Sequence, residues 1–322
     1  MIAIKFIPAG SVVRELENTL YLDVGNALDV GILDHHQSSA PKASATRLVV
    51  ENTHLIPKEA TTIVLHHAPD LDCVASSFLA AYFIDNGSLP PYANQLAEYV
   101  DLIDFGYSPR HQTSLYYIYA LASSEIKDEQ ERVLLGHRMI EAFASSGFDI
   151  GTIPLAYTRY EKSIKEDYVL YLEDIARSQK LTVSLPSKKE LHKTIQHDGL
   201  IIEYPKSKLF KEWARNDSIN TTCGFMFLVV RLSQRRVIIS VKPDGDVYLK
   251  GLGDALNEAA KQRREALGIA LDEPIREGYD MQDPWYDGRN PSHNYTIIDA
   301  PRRGSELDFE EIIKITKQLY RI

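Results

Sequence analysis

The sequence predicts an α/β protein in which a mostly parallel, Rossmann-like sheet is followed by a helical connector and a smaller α+β C-terminal domain. Two observations support this prediction. Short apolar stretches alternate with helix-like periodicity over the first hundred residues, as in layered domains with a parallel sheet. After a long helical region, the pattern changes near residue 186 to short strand-like stretches. We therefore expect a first domain with its connector at 1–185 and a second domain at 186–322.

The elements of the first domain follow from the spacing of their apolar residues. Buried strands are predicted at four short apolar stretches: IAIKFI at 2–7, LYLDVG at 20–25, GIL at 31–33 and TIVLHH at 62–67. Apolar residues three and four apart predict helices over 44–55 and 71–87, and helical patterns dominate 94–180. Because functional residues gather at the carboxyl ends of parallel strands, they are expected at that edge of the sheet.

The second domain is predicted from a change of pattern. A polar, proline-containing stretch, TVSLPSKKE at 182–190, separates it from the helical region. Strands are predicted at GLIIEY, at GFMFLVVRL and at RVIISVKPDGDVYLKG, the last as two strands joined by a turn at 243–245. A helix over 252–268 follows, and then a loop rich in Trp, Gly, Arg and Pro, DPWYDGRNPSHNYTIIDAPRRG.

Composition and charge argue against several classes of protein. The 322-residue chain has a formal net charge of -9, which disfavours a protein that grips long nucleic acids through their phosphates. No apolar run approaches the roughly 20 residues of a membrane helix, and the N-terminus lacks the pattern of a signal peptide. Cys73 and Cys223 are too few for a disulfide framework, which fits a reducing compartment. We expect a cytoplasmic protein without a membrane partner.

Four groups of acidic and imidazole side chains stand at the ends of predicted elements. They are Asp23; Asp34, His35 and His36; His66, Asp70 and Asp72; and Asp101 and Asp104. Carboxylates are costly to bury unpaired, and a divalent cation both neutralises them and satisfies their lone pairs. Mixed carboxylate and imidazole ligands suit Mn²⁺ or Mg²⁺ better than a metal that prefers thiolates. The sequence therefore predicts a metal site.

Taken singly, these residues also have structural interpretations. The Asp-His-His triplet fits an exposed turn with a capping aspartate, and Asp72 fits a cap of the helix that it begins. Cys73 is expected to pack within that helix with its side chain turned away from the site, and His67 is expected to be structural. The combination of the four groups favours a metal site over these alternatives.

The four groups resemble the motifs of the DHH phosphoesterase superfamily, which is named for the triplet found here as Asp34-His35-His36. Its His-x-x-x-Asp-x-Asp motif with a following serine matches His66, Asp70, Asp72 and Ser76. Its second and fourth motifs match Asp23 in LDVG and Asp104 in IDFG, with Asp101 a competing match. The resemblance covers roughly residues 18–107. In most members the His-x-x-x-Asp-x-Asp motif precedes the triplet, whereas here it follows, so the strand order stays open.

The resemblance implies a DHH-type domain with a two-metal centre. Asp23 would bridge the cations, His66 and Asp70 would complete one site, and His35, Asp72 and Asp104 would complete the other. Mn²⁺ is favoured, with Mg²⁺ the alternative, and a hydroxide held between the cations would attack phosphorus in line. His36 would contact the substrate phosphate as a donor or proton carrier, and Asp34 would orient an imidazole.

Members of the superfamily often carry a smaller C-terminal domain that grips the substrate with a glycine-rich loop and a basic residue. The usual GGGH loop is absent here, and DGRNPSH at 287–293 is the nearest substitute. The implied substrate contacts are Gly288, Arg289 and His293, with Arg302 and Arg303 as a further anion site. Each of these also fits simple packing or solvated surface, and Trp285 and Tyr286 fit either base stacking or a core.

The resemblance thus implies a metal-dependent phosphohydrolase whose partner is a small nucleotide or a short single-stranded nucleic acid. Phosphodiester bonds of short oligonucleotides and of linear or cyclic dinucleotides are favoured, because the acidic composition disfavours long polymers. A pyrophosphatase or exopolyphosphatase is the alternative within enzymes. A nucleotide sensor without turnover and a single-zinc hydrolase are alternatives of other kinds. The oligomeric state stays open, with a dimer one option.

Overall fold

A computed structural model describes residues 2–37, 39–190, 192–269, 285–288, 290–300 and 304–320. These residues divide into two compact units. Unit 1 contains the described residues up to Lys165 together with Asn290–Ser292, and unit 2 contains the others. The division lies at Lys165 rather than near residue 186. It falls inside one continuous helix, and the sequence pattern changes only after that helix has ended.

Unit 1 is built on a five-stranded sheet whose strands are short. They are β1 Ala3–Ile7, β2 Thr19–Leu22, β3 Leu28–Asp29, β4 Ile32–Leu33 and β5 Thr62–His66. The order across the sheet is β1-β5-β2-β4-β3. The pairs β1–β5, β5–β2 and β2–β4 are parallel, and β3 is antiparallel to β4. The expected parallel sheet is therefore confirmed for four strands, while the short β3 makes the sheet mixed.

The strand order answers the question that the motif order left open. Although β5 is the last of these five strands along the chain, it lies between β1 and β2 in the sheet. Its neighbour β2 also pairs with β4, with Tyr21 opposite both Val64 and Ile32. Because these three strands are parallel and adjacent, their carboxyl ends meet at the same edge of the sheet.

Helices account for most of the rest of unit 1. They are α1 Ala45–Glu51, α2 Leu71–Asn86, α3 Ala93–Asp104, α4 Leu115–Ser124, α5 Glu129–Ala144 and α6 Tyr160–Arg177, the last of which continues past Lys165. The Ser44 side chain caps α1 by accepting from the Arg47 backbone N–H. Asp70 caps α2 in the same way, and α2 ends at Gly87, whose φ of 70° lies in the left-handed region. Both predicted helices are confirmed, the first in a shorter form.

Unit 2 has a second five-stranded sheet, with order β10-β9-β8-β7-β6. Its strands are β6 Gln179–Pro186, β7 Thr194–Glu203, β8 Phe227–Arg231, β9 Val237–Val241 and β10 Ile297–Asp299. Only β7 and β8 pair in parallel among these described strands. The unit also contains α7 Phe210–Arg215, α8 Leu252–Leu267 and α9 Phe309–Tyr320. The unit therefore combines strands and helices.

Several elements of unit 2 differ from the sequence prediction. The stretch at 182–190 was expected to be a break, but β6 continues through it to Pro186. The second strand expected after 243–245 is reduced to an isolated bridge between Ser187 and Val247. The sequence analysis did not predict α7, β10 or α9. The first two are short, with six and three residues. In contrast, α9 buries Ile312, Thr316 and Tyr320 at a spacing of four, a helical pattern that was overlooked.

The core of unit 2 contains a residue that the sequence left ambiguous. Trp285 is 3% exposed and packs in an apolar cluster with Phe227, Ile239 and Leu256. Its core interpretation is therefore confirmed. Among the helices of the described residues, none combines the length and the apolar character needed to cross a membrane.

Candidate metal centre

Three parallel strands of unit 1 end in chemically active side chains. Asp23 directly follows β2, the Asp34-His35-His36 triplet follows β4, and His66 is the last residue of β5. The Asp23 backbone has a φ of 58°, a left-handed conformation that Asp and Asn tolerate better than most residues. Its N–H donates to the Leu33 carbonyl at 3.1 Å. The strand ends therefore fix the directions from which these side chains converge.

The Asp23 carboxylate lies at the centre of the converging residues. Its Oδ1 is 3.1 Å from His35 Nε2, and its Oδ2 is 3.2 Å from His66 Nε2. Asp23 is only 3% exposed. Although burial opposes the effect, hydrogen bonds from His35 and His66 lower the pKa of Asp23. The group is therefore a carboxylate held between two imidazoles from different strands.

The first candidate ligand group combines Asp23 with His66, Asp70 and Cys73, whose ligand atoms all lie within 4.8 Å of one another. His66 Nε2 is 3.9 Å from Asp70 Oδ2. His66 Nδ1 lies 2.8 Å from the His67 carbonyl, which can only accept, so Nδ1 carries a proton. This contact turns Nε2 toward the carboxylates, as in metal sites where the other ring nitrogen is anchored.

The second candidate ligand group consists of His35, Asp72 and Asp104. His35 Nε2 is 3.7 Å from Asp72 Oδ2, and His35 Nδ1 is 3.7 Å from Asp104 Oδ2. Although burial opposes it, the Asp104 and Asp23 carboxylates raise the pKa of His35. Burial also raises the pKa of Asp104 to about 6, despite the opposing effect of His35. This group thus places two carboxyl groups beside one imidazole in a largely buried site.

Two buried atoms of the second group test whether a cation fits. Within the described part of the chain, neither His35 Nδ1 nor Asp104 Oδ2 has a hydrogen-bond partner. Their separation of 3.7 Å is too long for a hydrogen bond. Buried polar atoms without partners are costly, and a cation between a carboxylate and an imidazole would satisfy both. The residues therefore fit a divalent cation, and the two groups lie side by side around Asp23 and His35.

Asp72 is held in a way that the sequence did not reveal. Its Oδ2 accepts from the Ala45 N–H at 2.7 Å, and its Oδ1 accepts from the Thr46 N–H at 2.8 Å and hydroxyl at 2.6 Å. These donors belong to the start of α1, where unpaired N–H groups favour a carboxylate. The cap of α2 is Asp70, which accepts from the N–H groups of Asp72 and Cys73. The interpretation of Asp72 as the helix cap is therefore wrong.

The structure separates the two aspartates that competed for the fourth motif. Asp104 is the last residue of α3 and joins His35 and Asp72. Asp101 is in none of these groups, because its carboxylate is already engaged at α1. Its Oδ1 accepts from the Ser44 N–H at 2.9 Å and hydroxyl at 2.7 Å, and its Oδ2 pairs with Arg47 Nε at 2.9 Å. Asp101 thus fastens α3 to α1.

The triplet places an oriented imidazole at this centre, where Asp34, His35 and His36 form a third candidate ligand group with Asp23. Asp34 is fully buried, and its Oδ1 accepts from His36 Nδ1 at 2.6 Å and from the His36 N–H at 3.1 Å. Its Oδ2 accepts from the Asn26 N–H at 2.6 Å. Although burial opposes it, the His36 imidazole lowers the pKa of Asp34 to about 2. The ionised Asp34 carboxylate fixes the His36 ring, whose Nδ1 lies 3.6 Å from Asp23 Oδ1.

Three residues near the centre, Cys73, His67 and Ser76, have different contacts. Cys73 was expected to face away from the site, but its Sγ lies 3.6 Å from Asp23 Oδ2, so that expectation is wrong. His67 lies outside the ligand groups and pairs through Nδ1 with Glu129 at 2.9 Å. The motif serine, Ser76, donates its hydroxyl to the Asp72 carbonyl at 2.7 Å and supports the helix rather than joining the groups.

The substrate-contact residues expected near the C-terminus fall into two sets. Arg289, Arg302 and Arg303 lie outside the described residues. Gly288 and His293 belong to unit 2. A Cβ added at Gly288, where φ is 52°, would approach the Ile297 carbonyl to 2.8 Å, so glycine is required there for packing. The ring of His293 meets Tyr286 edge-on, with centroids 5.8 Å apart.

Asn290 and Ser292 were not predicted, although they lie in the same loop sequence. Both are assigned to unit 1 and both are buried. Asn290 Nδ2 donates to the His35 carbonyl at 3.1 Å, and Ser292 Oγ donates to the Ala43 carbonyl at 3.4 Å. In DGRNPSH, the Gly, Arg and His residues have the chemistry expected of an anion site. Asn290 lacks that chemistry, and its side-chain amide instead holds the backbone of His35, a candidate ligand.

No protein-family model matches the chain, and neither a curated protein nor a solved structure matches it. The resemblance to the DHH phosphoesterase superfamily therefore rests on the four motifs, and the geometry adds that their side chains converge. What the structure shows by itself is a cluster of mostly buried Asp, His and Cys side chains within metal-ligand distance of one another.

Proposed function

We propose that this protein is a divalent-metal-dependent phosphoesterase of the DHH type that hydrolyses phosphodiester bonds of short oligonucleotides or of linear or cyclic dinucleotides. One observation carries the proposal. Candidate ligands from four separate stretches of sequence converge around Asp23, with His35 and His66 each within 3.2 Å of its carboxylate. Convergence of this kind is expected for a two-cation phosphohydrolase and has no evident purpose in a purely structural core.

Each residue has a role in this proposal. Asp23, His66 and Asp70 would hold one cation, and His35, Asp72 and Asp104 would hold the other. When bound, the cations supply Lewis acidity and make a hydroxide nucleophile accessible at neutral pH. The start of α1 keeps both oxygens of Asp72 in place through its N–H groups.

His36 is the residue proposed to act on the substrate. Its ring is fixed by Asp34 at 2.6 Å, so its orientation toward Asp23 costs little entropy when a substrate arrives. From there the imidazole would donate a hydrogen bond to the substrate phosphate or carry a proton to the leaving oxygen. Its side chain is 24% exposed, which leaves it accessible to a substrate.

The substrate class is proposed from the charge of the chain. The net charge of -9 disfavours long anionic polymers, which supports small substrates. Burial of Trp285 removes one platform on which a base would stack, so base recognition is not assigned to it. A pyrophosphatase or exopolyphosphatase uses the same kind of centre and remains the alternative. Presence of all six proposed ligands favours turnover over a sensor that only binds nucleotides.

Ligand substitutions test the proposal directly. In Asp23→Asn and His35→Ala, we expect a large loss of the Mn²⁺-dependent release of p-nitrophenol from bis(p-nitrophenyl) phosphate. The loss should exceed the roughly 10- to 100-fold that is typical when a residue that only orients a metal ligand is replaced. Asn tolerates the left-handed backbone at position 23, so the first variant should fold. The matched control is Asp149→Asn, which changes another Asp–His pair, Asp149 with His111 at 3.1 Å, outside the ligand groups. Full activity in Asp23→Asn would refute the proposal.

A substrate panel with added Mn²⁺ separates the alternatives. We expect the highest rates with dinucleotides, cyclic dinucleotides and short oligonucleotides. A preference for pyrophosphate or polyphosphate would favour the alternative enzyme, and tight nucleotide binding without product would favour the sensor. Elemental analysis is expected to give two metal ions per chain, whereas one zinc ion per chain would favour the single-zinc hydrolase.

A further inference from the structure

Cys73 is a buried thiol that faces the candidate metal centre. It is 0% exposed, and its Sγ lies 3.6 Å from Asp23 Oδ2. The same sulfur lies within 4.8 Å of ligand atoms of His66 and Asp70. A cation held by Asp23, His66 and Asp70 would therefore have a sulfur atom among its immediate neighbours.

The start of α2 explains why the thiol points in this direction. Asp70 caps the helix and accepts from the Cys73 N–H at 3.1 Å, which fixes Cys73 in the first turn. Successive side chains of a helix are about 100° apart around its axis. Asp72 faces the start of α1 and His35, and Cys73, one residue later, faces Asp23 and His66. Asp72 and Cys73, which are adjacent in the first turn of α2, thus belong to different ligand groups.

Comparison with the other small polar residues of α2 makes the direction of Cys73 distinctive. Ser76 donates its hydroxyl to the Asp72 carbonyl at 2.7 Å, and Ser77 donates to the Val74 carbonyl at 2.9 Å. Both hydroxyls donate within the helix, and the Ser77 hydroxyl also lies 2.9 Å from His137 Nε2 of α5. A buried cysteine usually behaves as a small apolar side chain, yet Cys73 is placed beside a carboxylate and an imidazole. That environment is polar and suits a metal ligand better than it suits packing.

We infer that Cys73 is a sulfur ligand of the cation held by Asp23, His66 and Asp70, and that this sulfur makes the first site select a softer metal than the second. Thiolates favour Zn²⁺, Co²⁺ or Fe²⁺ over Mn²⁺ and Mg²⁺. The second group, His35, Asp72 and Asp104, offers only nitrogen and oxygen and suits Mn²⁺ or Mg²⁺. On coordination the thiol proton passes to solvent. The inference rests on the proposed two-cation centre and adds that the two cations differ.

Titration of the metal-free protein with Co²⁺ tests the inference by a readout other than activity. Thiolate ligation gives Co²⁺ an intense sulfur-to-metal charge-transfer band in the near ultraviolet, which oxygen and nitrogen ligands do not give. We expect this band in the natural protein and its loss in Cys73→Ser, with Co²⁺ still bound. The preference for Zn²⁺ over Mn²⁺ should fall by about 10-fold or more in the variant. Cys223→Ser, which changes the exposed second cysteine, is the matched control and should keep the band.

The outcomes separate this inference from the proposed function. Stoichiometric Co²⁺ binding without the band would refute sulfur ligation and leave the metal centre standing. A band that persists in Cys73→Ser would likewise refute it. Failure of the natural protein to bind any Co²⁺, Mn²⁺ or Zn²⁺ would overturn the metal centre itself. If the variants do not fold, X-ray absorption of the Zn²⁺-loaded natural protein decides, because a sulfur ligand gives a distance near 2.3 Å against about 2.0–2.1 Å for nitrogen.

Discussion

At the scale of single residues, Asp34 links the sequence motif to the orientation of His36. Its two oxygens accept three hydrogen bonds, from His36 Nδ1, from the His36 N–H and from the Asn26 N–H. In Asp34→Asn, the amide group must turn its NH₂ toward one of these donors. A buried donor without an acceptor costs about 1–3 kcal/mol, and loss of an orienting carboxylate typically lowers activity by about 10- to 100-fold.

Urea unfolding and Mn²⁺-dependent phosphodiesterase assays of Asp34→Asn measure these two effects. Asp29→Asn is the control, because Asp29 is exposed and its carboxylate accepts from the adjacent Val30 N–H at 2.7 Å. The control is expected to change the free energy of unfolding and the activity very little. Natural activity in Asp34→Asn would show that the orientation of His36 does not matter for the reaction.

The candidate ligands could be selected from the sequence, whereas the directions of some side chains could not. Asp23, His35 and His66 each follow or end a strand, and strand ends are visible in the hydrophobic pattern. The direction of Cys73 depends on which residue begins α2, and an error of one residue rotates a side chain by about 100°. Asn290 escaped prediction because its partner is the His35 carbonyl, some 255 residues away in the chain.

At the scale of elements, the packing of α2 against α5 gives a pH-dependent prediction. His137 of α5 lies 2.9 Å from the Ser77 hydroxyl of α2, with its ring edge-on to Phe78 at 5.5 Å. Burial lowers the pKa of His137 from 6.5 to about 4. As the pH falls, the unfolded state therefore takes up this proton first. The contribution of His137 to stability is complete above pH 6.5 and is lost on acidification toward pH 4, by at most about 3 kcal/mol.

Replacing His137 with a residue that does not titrate separates its effect on stability from that of the carboxylates, which also titrate on acidification. The free energy of unfolding should fall less steeply between pH 6.5 and pH 4 in His137→Gln than in the natural protein. His54→Gln, which changes an exposed histidine, is expected to keep the natural slope. Identical slopes in the natural protein and in His137→Gln would contradict the prediction. Urea midpoints measured at several pH values provide the comparison.

Helix positions were easier to predict than the contacts that join helices. The periodicity of 71–87 gave α2 and its end at Gly87, because both signals are local. Asp101 looked equivalent to Asp104 because the two stand three residues apart on α3. Only the packing of α1 against α3, through Ser44 and Arg47, distinguishes them. Tertiary partners of this kind have no local signature.

At the scale of the whole molecule, strand order matters more than motif order. The His-x-x-x-Asp-x-Asp motif follows the triplet in the chain, yet β5 is inserted beside β2, so His66 reaches Asp23 at 3.2 Å. A cation site depends on positions in space, and a parallel sheet presents the ends of neighbouring strands whatever their order in the chain. The sequence could therefore indicate which candidate ligands come together without predicting the order of the strands that position them.

Metal binding should stabilise one unit of the molecule and not the other. Every candidate ligand group found among the described residues belongs to unit 1, while unit 2 has its own apolar core. A ligand that binds only the folded state stabilises it by about 2.7 kcal/mol at 100 times its dissociation constant. Saturating Mn²⁺ should therefore slow amide hydrogen exchange in β2, β5 and the start of α2, and leave β8 unchanged.

Hydrogen exchange followed by mass spectrometry resolves the two units, which tryptophan fluorescence cannot do because Trp213 and Trp285 both belong to unit 2. Asp23→Asn supplies the control, since loss of the central carboxylate should remove the Mn²⁺-dependent protection of β5 without altering β8. A cation bound at the ends of these strands protects only those amides that exchange when this edge of the sheet opens. Equal protection of β5 and β8, or protection that survives in Asp23→Asn, would contradict a centre built on the edge of the first sheet.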